Sequence, residues 1–334
     1  MGDVILTTAF LRILRHSYPQ SDIDFLVSSK FKEILENNPN INNLIEYDKS
    51  KSILEILKYK QFIKNKNNFK KYDIVIDLQN NLRSFIFSLG LGIKKYRLNK
   101  QRLNKLSLVF LKKPLKSLIS NIPEIYINSV PKLGLKDDSK GLEFWFPEDK
   151  INKSYPGETT NSPNADNLKI AIAPGAHHYT KRWFSSRFSE LINQIIEKYN
   201  AEIYLIGGVD DKPITDQIKS ELNFEINDFS NSSSILKTAG IISQCNLLIT
   251  NDTGVMHIAA ARNVPVIAIF GSSVKDFGFT PYRVPNTIVE KEVPCRPCSH
   301  IGRSKCPKKH FNCMMKIQVE DVLSAVTDML MYGN

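Results

Sequence analysis

In Cys245-Asn-Leu-Leu-Ile-Thr250-Asn251-Asp252-Thr253-Gly254-Val-Met-His257-Ile-Ala-Ala-Ala-Arg262 an apolar run passes through a polar turn into an alanine-rich run. A strand-type stretch, Asn246 to Thr250, that feeds a turn and then a helix is one strand-to-helix corner of an α/β sheet. The first turn of a helix leaves backbone N–H groups unpaired and carries the positive end of the dipole, so such a corner receives anions. Thr253 and Gly254 stand at that turn with nothing bulky to block a diphosphate, and His257 falls one turn further in. The same residues also satisfy a plain helix start, with Asp252 or Thr253 as N-cap and Gly254 in the turn.

A second corner lies upstream. Ile170-Ala-Ile-Ala173 reads as a short buried strand that runs into the basic loop Pro174-Gly175 to Lys181-Arg182-Trp183-Phe184, ahead of an amphipathic helix from Ser185 to Lys198. Around these corners, Glu202–Ile206 and Val264–Phe270 read as strands, and 212–222 and 232–243 as helices. In the first half, Val4–Tyr18 has helical periodicity, Ile23–Val27 reads as a strand, Phe31–Asn37 as a helix, Asn43–Tyr47 and Tyr72–Asp77 as strands, and a helix starts at Arg83. Strands alternating with helices imply parallel sheets covered by helices.

At 334 residues the chain exceeds one comfortable core, which favours two domains. Residues 151–167 turn to Asn, Ser, Thr, Pro and Gly and read as a linker between a first domain, 1–150, and a second, 168–334. Two α/β halves so joined place ligands in a cleft at the carboxyl ends of the strands. Gly2-Asp3-Val4 already begins a helix, so the usual central first strand is absent. Without it the sheet keeps two unpaired edges, and the expectation is that Met1 is internal to a chain with one further strand upstream.

With 42% hydrophobic and 24% charged residues the composition is that of an ordinary soluble globular protein. No apolar run approaches the length of a membrane span and no signal peptide is evident, which points to the cytoplasm. The formal charge of +11 is uneven: Lys94 to Lys116 holds nine Lys or Arg residues and no acid, interleaved with Leu103, Leu106, Val109, Phe110 and Leu111. Such a segment suits phosphorylated ligands or an anionic membrane surface, and it is equally a solvated basic face. No RNP, zinc-finger or helix-turn-helix signature accompanies it, so nucleic acid is not an expected partner.

Four of the five cysteines, Cys295, Cys298, Cys306 and Cys313, follow the spacing C-x2-C-x7-C-x6-C, with His300 and His310 between them. Disulfides do not suit a cytosolic chain. The spacing admits a tetrahedral structural metal site, and also a reduced loop with buried thiols.

Taken together, Gly2-Asp3-Val4-Ile-Leu-Thr-Thr8, Asp77-Leu-Gln-Asn-Asn-Leu-Arg83-Ser84, Pro174-Gly175 with Lys181-Arg182-Trp183, Gly207-Gly208-Val-Asp210, Asn251-Asp-Thr-Gly254 with His257, and Phe270-Gly271-Ser resemble the bacterial lipopolysaccharide heptosyltransferases. The likeness covers nearly the whole chain. It implies the GT-B fold, two Rossmann-like α/β domains facing a cleft, and inverting, metal-independent transfer of heptose from ADP-heptose to the lipopolysaccharide inner core. Carried over by position, it makes Asp3 the catalytic base and Lys181 the group that stabilises the leaving diphosphate, with Asp210, Asp252, Thr253, Gly254 and His257 binding the donor. An acid at 210 would accept from the ribose hydroxyls. The acceptor, a phosphorylated lipid A–Kdo glycolipid at the inner-membrane surface, would meet Arg83, Lys94, Lys95 and Arg97 of the first domain. The resemblance implies no cofactor beyond the donor substrate and no catalytic metal at the cysteine-rich loop, whose presence leans toward the second heptose. It also implies a final helix, Val319 to Met331, that crosses the interdomain cleft, and a cytoplasmic enzyme that can lie peripherally on the inner membrane.

Two other readings stay open on the residues alone. One is a nucleotide-sugar epimerase or hydrolase, or a transferase of another sugar, on the same fold. The other is a basic nucleotide-sensing or nucleic-acid-binding protein, indifferent to Asp3 and Lys181.

Overall fold

A computed structural model describes residues 1–50, 52–66, 72–114, 121–147, 167–232 and 234–332. The first lobe opens on helix α1 (Gly2–Ser17), followed by strand β1 (Asp24–Ser28), a 3-10 segment (Ser29–Ile34) and strand β2 (Asn43–Tyr47). Helix α2 (Ile53–Lys66), strand β3 (Tyr72–Asp77), helix α3 (Leu82–Ser88), strand β4 (Gly92–Arg97), helix α4 (Arg102–Leu111) and helix α5 (Ile122–Asn128) complete it. β1 pairs with β2 and β3 with β4, both in parallel. Among the described residues no strand joins the two pairs, so β1 and β3 each keep one unpaired edge.

The second lobe carries β5 (Lys169–Ala173), α6 (Ser185–Tyr199), β6 (Glu202–Ile206), α7 (Lys212–Ser220), β7 (Asn227–Phe229), α8 (Ile235–Ser243), β8 (Leu247–Asn251), α9 (Val255–Ala261), β9 (Val266–Phe270), β10 (Asn286–Glu290), α10 (Asn312–Met315) and α11 (Val319–Tyr332). Its six strands are all parallel, in the order β10-β9-β8-β5-β6-β7. The order reverses between β5 and β8, and at such a switch point the loops after two neighbouring strands splay apart and leave a crevice. β5 and β8 are the strands that feed the two corners of the sequence.

Both faces of this sheet are covered, which is why its strands read as continuous apolar runs. Ile170, Ile172, Ile249 and Ile267 pack with Leu191 and Ile195 of α6 and Val322 and Val326 of α11 on one face. Ala171, Leu248 and Ala268 face the other way, into a core that also contains Ile5, Leu6, Phe10 and Ile13 of α1. The two lobes therefore share one apolar core, and α1 packs directly on α9. Polar pins reinforce it: Arg262 donates to the carbonyl of Phe144 at 3.0 Å, and the Leu236 N–H donates to Glu33 at 3.0 Å.

Three expectations change. Residues 94–116 are not one segment: Lys94, Lys95 and Arg97 belong to β4, while Arg102 and Lys105 belong to α4, and the chain turns between them at Gln101, φ 48°. Residues 31–37 form a 3-10 segment and loop rather than an α-helix. The final helix does not cross the cleft, because its Val and Ala face is absorbed by α6, β9 and β10 of its own lobe. Residues 151–166 of the expected linker, and Lys116, lie outside the described residues.

Candidate functional site

The switch point is held by one buried amide. Asn251, the last residue of β8, accepts from the N–H of Trp183 at 3.0 Å and donates to the carbonyl of Pro174 at 2.7 Å. It thus spans the loop after β5 at both ends and fixes the spacing of that loop to the turn after β8. The Trp183 ring is buried and donates to the carbonyl of Ile317 at 3.1 Å. On the other side of Lys181, Thr180 is buried, donates its N–H to Arg303 O at 3.1 Å and accepts from Ser272 Oγ at 3.0 Å. Lys181 is a long cation on a short 3-10 turn anchored on both flanks.

Its ammonium meets the Asp252 carboxylate at 2.6 Å. Asp252 is buried and also accepts from Ser273 Oγ. α9 has only seven residues, so its dipole is small, and the full positive charge at this turn belongs to Lys181. Gly254 precedes α9 with φ −64°, a conformation any residue adopts. What the position requires is space: a β-carbon there would stand 2.7 Å from Met1 Cε and 3.0 Å from the Gly2 nitrogen.

His257 is buried, and its Nδ1 has no hydrogen-bond partner. Burial pushes its pKa down to about 4; the Asp252 carboxylate opposes that shift and Lys181 adds to it. The ring is therefore neutral near pH 7 and offers a hydrogen bond rather than a charge. A β-carbon on Gly2 would sit 2.9 Å from His257 Cδ2, so the start of α1 touches the start of α9. Asp3 follows, in the first turn of α1 and exposed; its carboxylate caps nothing and makes no hydrogen bond or ion pair.

Asp3, Lys181, Asp252, Thr253, Gly254 and His257 line one cleft of about 2130 Å³ between the lobes, which continues along the open edges of β1 and β3. Arg83 lines it too, with its guanidinium donating to the carbonyl of Lys49. The turn before Arg83 is rigid: Asp77 accepts from the Asn80 N–H at 2.7 Å and from Ser84 Oγ at 2.9 Å, and Asn81 and Ser84 cap α3 reciprocally. Lys100, Arg102 and Lys105 of the expected basic segment and His300 of the cysteine-rich loop also line the cleft, with Lys49, which carried no expectation. Burial lowers the Lys105 pKa, partly offset by Asp3, and its ammonium lies 5.4 Å over the Phe279 ring. His300 is held below the ordinary histidine value by burial and then by Lys105, Lys181 and Lys100. The usable signal for α4 was spacing: Arg102 and Lys105 are three apart and share a helix face.

Lys94, Lys95, Arg97 and Asp210 are not brought to this cleft. The three cations are exposed on β4, with Arg97 4.3 Å over the Phe85 ring. Asp210 is exposed on the 3-10 turn after β6, and its neighbour Asp211 is the carboxylate built into the loop. Asp211 accepts from the Gly208 N–H at 3.0 Å and fills the space beside Gly175, where a β-carbon would fall 2.3 Å away.

Cys295, Cys298, Cys306 and Cys313 surround a cavity of about 10 Å³ with His310. All are free thiols, and among the described residues no three His, Cys, Asp or Glu side chains are placed to hold a metal ion. Burial pushes the Cys313 thiol up to about 11, which keeps it protonated and unreactive near pH 7. The loop is tied to both lobes: Lys112 of the first donates to the carbonyls of Cys295 and Pro297, at 3.1 and 2.8 Å.

The sequence profile of glycosyltransferase family 9 (heptosyltransferase) matches residues 60–309. Lipopolysaccharide heptosyltransferase 2 of Escherichia coli K12 is 25% identical over 291 residues, 83% of this chain and 82% of that protein. A glycosyl transferase family 9 structure from Veillonella parvula superposes with a TM-score of 0.82 at 25% identity, covering 99% of this chain and 94% of that one. The structure of E. coli ADP-heptose lipopolysaccharide heptosyltransferase II gives a TM-score of 0.73 at 21% identity, over 99% and 96% of the two chains. The two-lobed architecture is thus GT-B.

Two stability outcomes follow from this geometry. Asn251→Ala leaves a buried N–H and a buried carbonyl without partners and costs about 2 to 4 kcal/mol in urea unfolding. Asn251→Asp keeps the acceptor for Trp183 but sets a buried carboxylate oxygen against the Pro174 carbonyl, and should cost at least as much; losses below about 0.5 kcal/mol in both variants would show that the amide bridge is not what holds the loops. His257 binds a proton more readily unfolded than folded, so stability is full above pH 6.5 and falls as pH drops toward about 4. In thermal melts across that window His257→Asn should flatten the acid slope relative to the parent chain, and an unchanged slope would assign it to other groups.

Proposed function

This chain belongs to glycosyltransferase family 9 and is a glycosyltransferase, and from that membership we propose that it transfers heptose from ADP-heptose to the acidic inner core of lipopolysaccharide. Several relatives that match most of the chain are heptosyltransferases of the second type, which favours an acceptor already bearing one heptose. One observation carries the reading: an unpaired carboxylate of the first lobe, Asp3, borders the same cleft as the Lys181–Asp252 pair of the second.

In this mechanism Asp3 takes the proton of the acceptor hydroxyl as the oxygen attacks the anomeric carbon from the face opposite the diphosphate. A sugar hydroxyl is a poor nucleophile, and a carboxylate in hydrogen-bond reach removes the proton as the C–O bond forms. One displacement inverts the anomeric configuration. ADP departs with negative charge growing on its terminal phosphate, and Lys181, with backbone N–H groups at Thr253 and Gly254, stabilises that charge. Because a lysine supplies the charge, the reaction needs no divalent metal. Asp252 keeps Lys181 in place before the donor arrives, and the neutral His257 adds one hydrogen bond.

The acceptor's carboxylates and phosphates are met by Arg83 with Lys49, Lys100, Arg102 and Lys105, cations that line the cleft on the first lobe's side. Lys94, Lys95 and Arg97 act further out, on the electrostatic approach of the glycolipid. Asp210, exposed on the turn after β6, is the acid assigned to the ribose hydroxyls.

Turnover with ADP-heptose and a heptose-deficient lipopolysaccharide core tests the whole reading. Transfer that persists in EDTA and releases no free heptose without acceptor is the expected result; acceptor-independent sugar release would point to a hydrolase or epimerase. Asp3→Asn should lower kcat by about 10² to 10⁴ while donor affinity stays close to the parent value. Lys181→Met should lower kcat by about 10² to 10³. It should also lower the melting temperature, because buried Asp252 loses its cation. A Lys181→Met variant with full kcat would remove the lysine from the leaving-group role.

A further inference from the structure

The rim of the cleft carries an apolar stripe that no described part of the protein covers. On α4, Leu103 is 73% exposed, Leu106 47%, Phe110 75% and Leu111 66%. Leu103, Leu106 and Phe110 succeed one another at three and four residues, so they share a helix face, with Leu111 at its side. The helix is anchored instead through Ser107 and Leu108, which are buried. Large apolar side chains at this exposure on successive turns differ from the scattered single residues of an ordinary soluble surface. Leu106 also lines the cleft, beside Arg102 and Lys105 of the same helix. The stripe therefore begins at the cleft mouth and runs outward.

Its charge setting is one-sided. From Lys94 through Leu111 there is no acidic residue, while Lys94, Lys95, Arg97, Arg102 and Lys113 are exposed. We propose that this face of α4 docks the protein on an anionic lipid bilayer, with Leu103, Leu106, Phe110 and Leu111 in the boundary between headgroups and acyl chains and the cations against the negative surface. Apolar residues flanked by cations on a helix lying in the interface plane gain from burial and from attraction to anionic lipid together. A second copy of the chain would cover the apolar stripe as well, yet it would bring the same acid-free cationic segment against its own likeness, in a chain of formal charge +11. No helix among the described residues is long and apolar enough to cross a membrane, so attachment here is to a surface.

The docking stands on exposure and charge alone; its use rests on the proposed acceptor, an amphiphile whose lipid end stays in the bilayer while its sugar reaches Asp3 past Leu106.

Sedimentation of the full chain with phosphatidylcholine vesicles, with and without phosphatidylglycerol, tests it. Binding to the anionic vesicles only, weakened by added salt, is expected. The double variant Leu103→Ser, Phe110→Ser should lose at least about tenfold in vesicle affinity. Both positions are exposed, so it should melt as the parent does and turn over a delipidated, water-soluble acceptor at the parent rate. Unchanged vesicle binding by the variant, equal binding to neutral vesicles, or a dimer in light scattering that the variant dissolves would each overturn the proposal. Salt-sensitive vesicle binding without any heptosyl transfer would leave the docking intact and remove the proposed reaction; transfer to soluble acceptor without vesicle binding would do the reverse.

Discussion

The Asn251 side chain is the constraint on which the second lobe's chemistry depends. At a switch point the loops after two adjacent strands diverge, and nothing in the sheet's own hydrogen bonding sets the distance between them. One buried amide spanning Pro174 and Trp183 sets it. Lys181 lies on the loop so fixed, two residues before Trp183, and Asp252 is the next residue in the chain after Asn251. The 2.6 Å contact between Lys181 and Asp252 is therefore a consequence of a bond that neither residue makes. Thr180, through Ser272 and Arg303, extends the same constraint to the end of β9 and to the cysteine-rich loop.

The two lobes bring different electrostatics to the cleft. On the second lobe the cation is matched in advance: Lys181 has a carboxylate, and that carboxylate also has a serine hydroxyl. On the first lobe Lys105 is largely withdrawn from water, and its pKa is depressed despite the nearby Asp3. A matched cation is rigid and already in place, which suits a group that must meet charge developing on a leaving phosphate without reorganising. A desolvated cation lacking an ion pair gains most from an arriving anion, which suits the capture of an acidic acceptor.

Much of this was legible in the sequence, for physical reasons that also explain what was not. β2, β3 and β6 are read to the residue and β5 to within one, since each is a short, largely apolar run bounded by polar turns. The donor-side corners are legible because strand, turn and helix succeed one another within a few residues. β4 is hidden because Ile93 and Lys94-Lys95 are all exposed, so the strand carries no buried apolar run to read. That concealment merged β4 with α4 into one basic segment and drew attention to Lys94, Lys95 and Arg97 rather than to Lys100, Arg102 and Lys105. At Asp210-Asp211 composition cannot tell two adjacent acids apart. Only the lack of a side chain at Gly175, which admits Asp211, decides which one is built into the loop. The course of α11 depended on long-range packing, and its apolar face fits the lobe's own sheet as readily as a cleft.

Placement of the base can be argued from what the other carboxylate at the same spot is already doing. Two of the acids that line the cleft stand where α1 and α9 begin, Asp3 in the first turn of α1 and Asp252 in the turn before α9. Asp252 is buried, and its carboxylate is already committed to Lys181 and Ser273. Asp3 is exposed and makes no hydrogen bond or ion pair among the described residues, on a helix whose first turn abuts His257 and Gly254. The same contact that puts the start of α1 beside Gly254 and His257 also packs α1 against α9, so the position of Asp3 is fixed by the apolar core the two lobes share. Loosening that core would separate Asp3, the proposed base, from Lys181 without touching either residue.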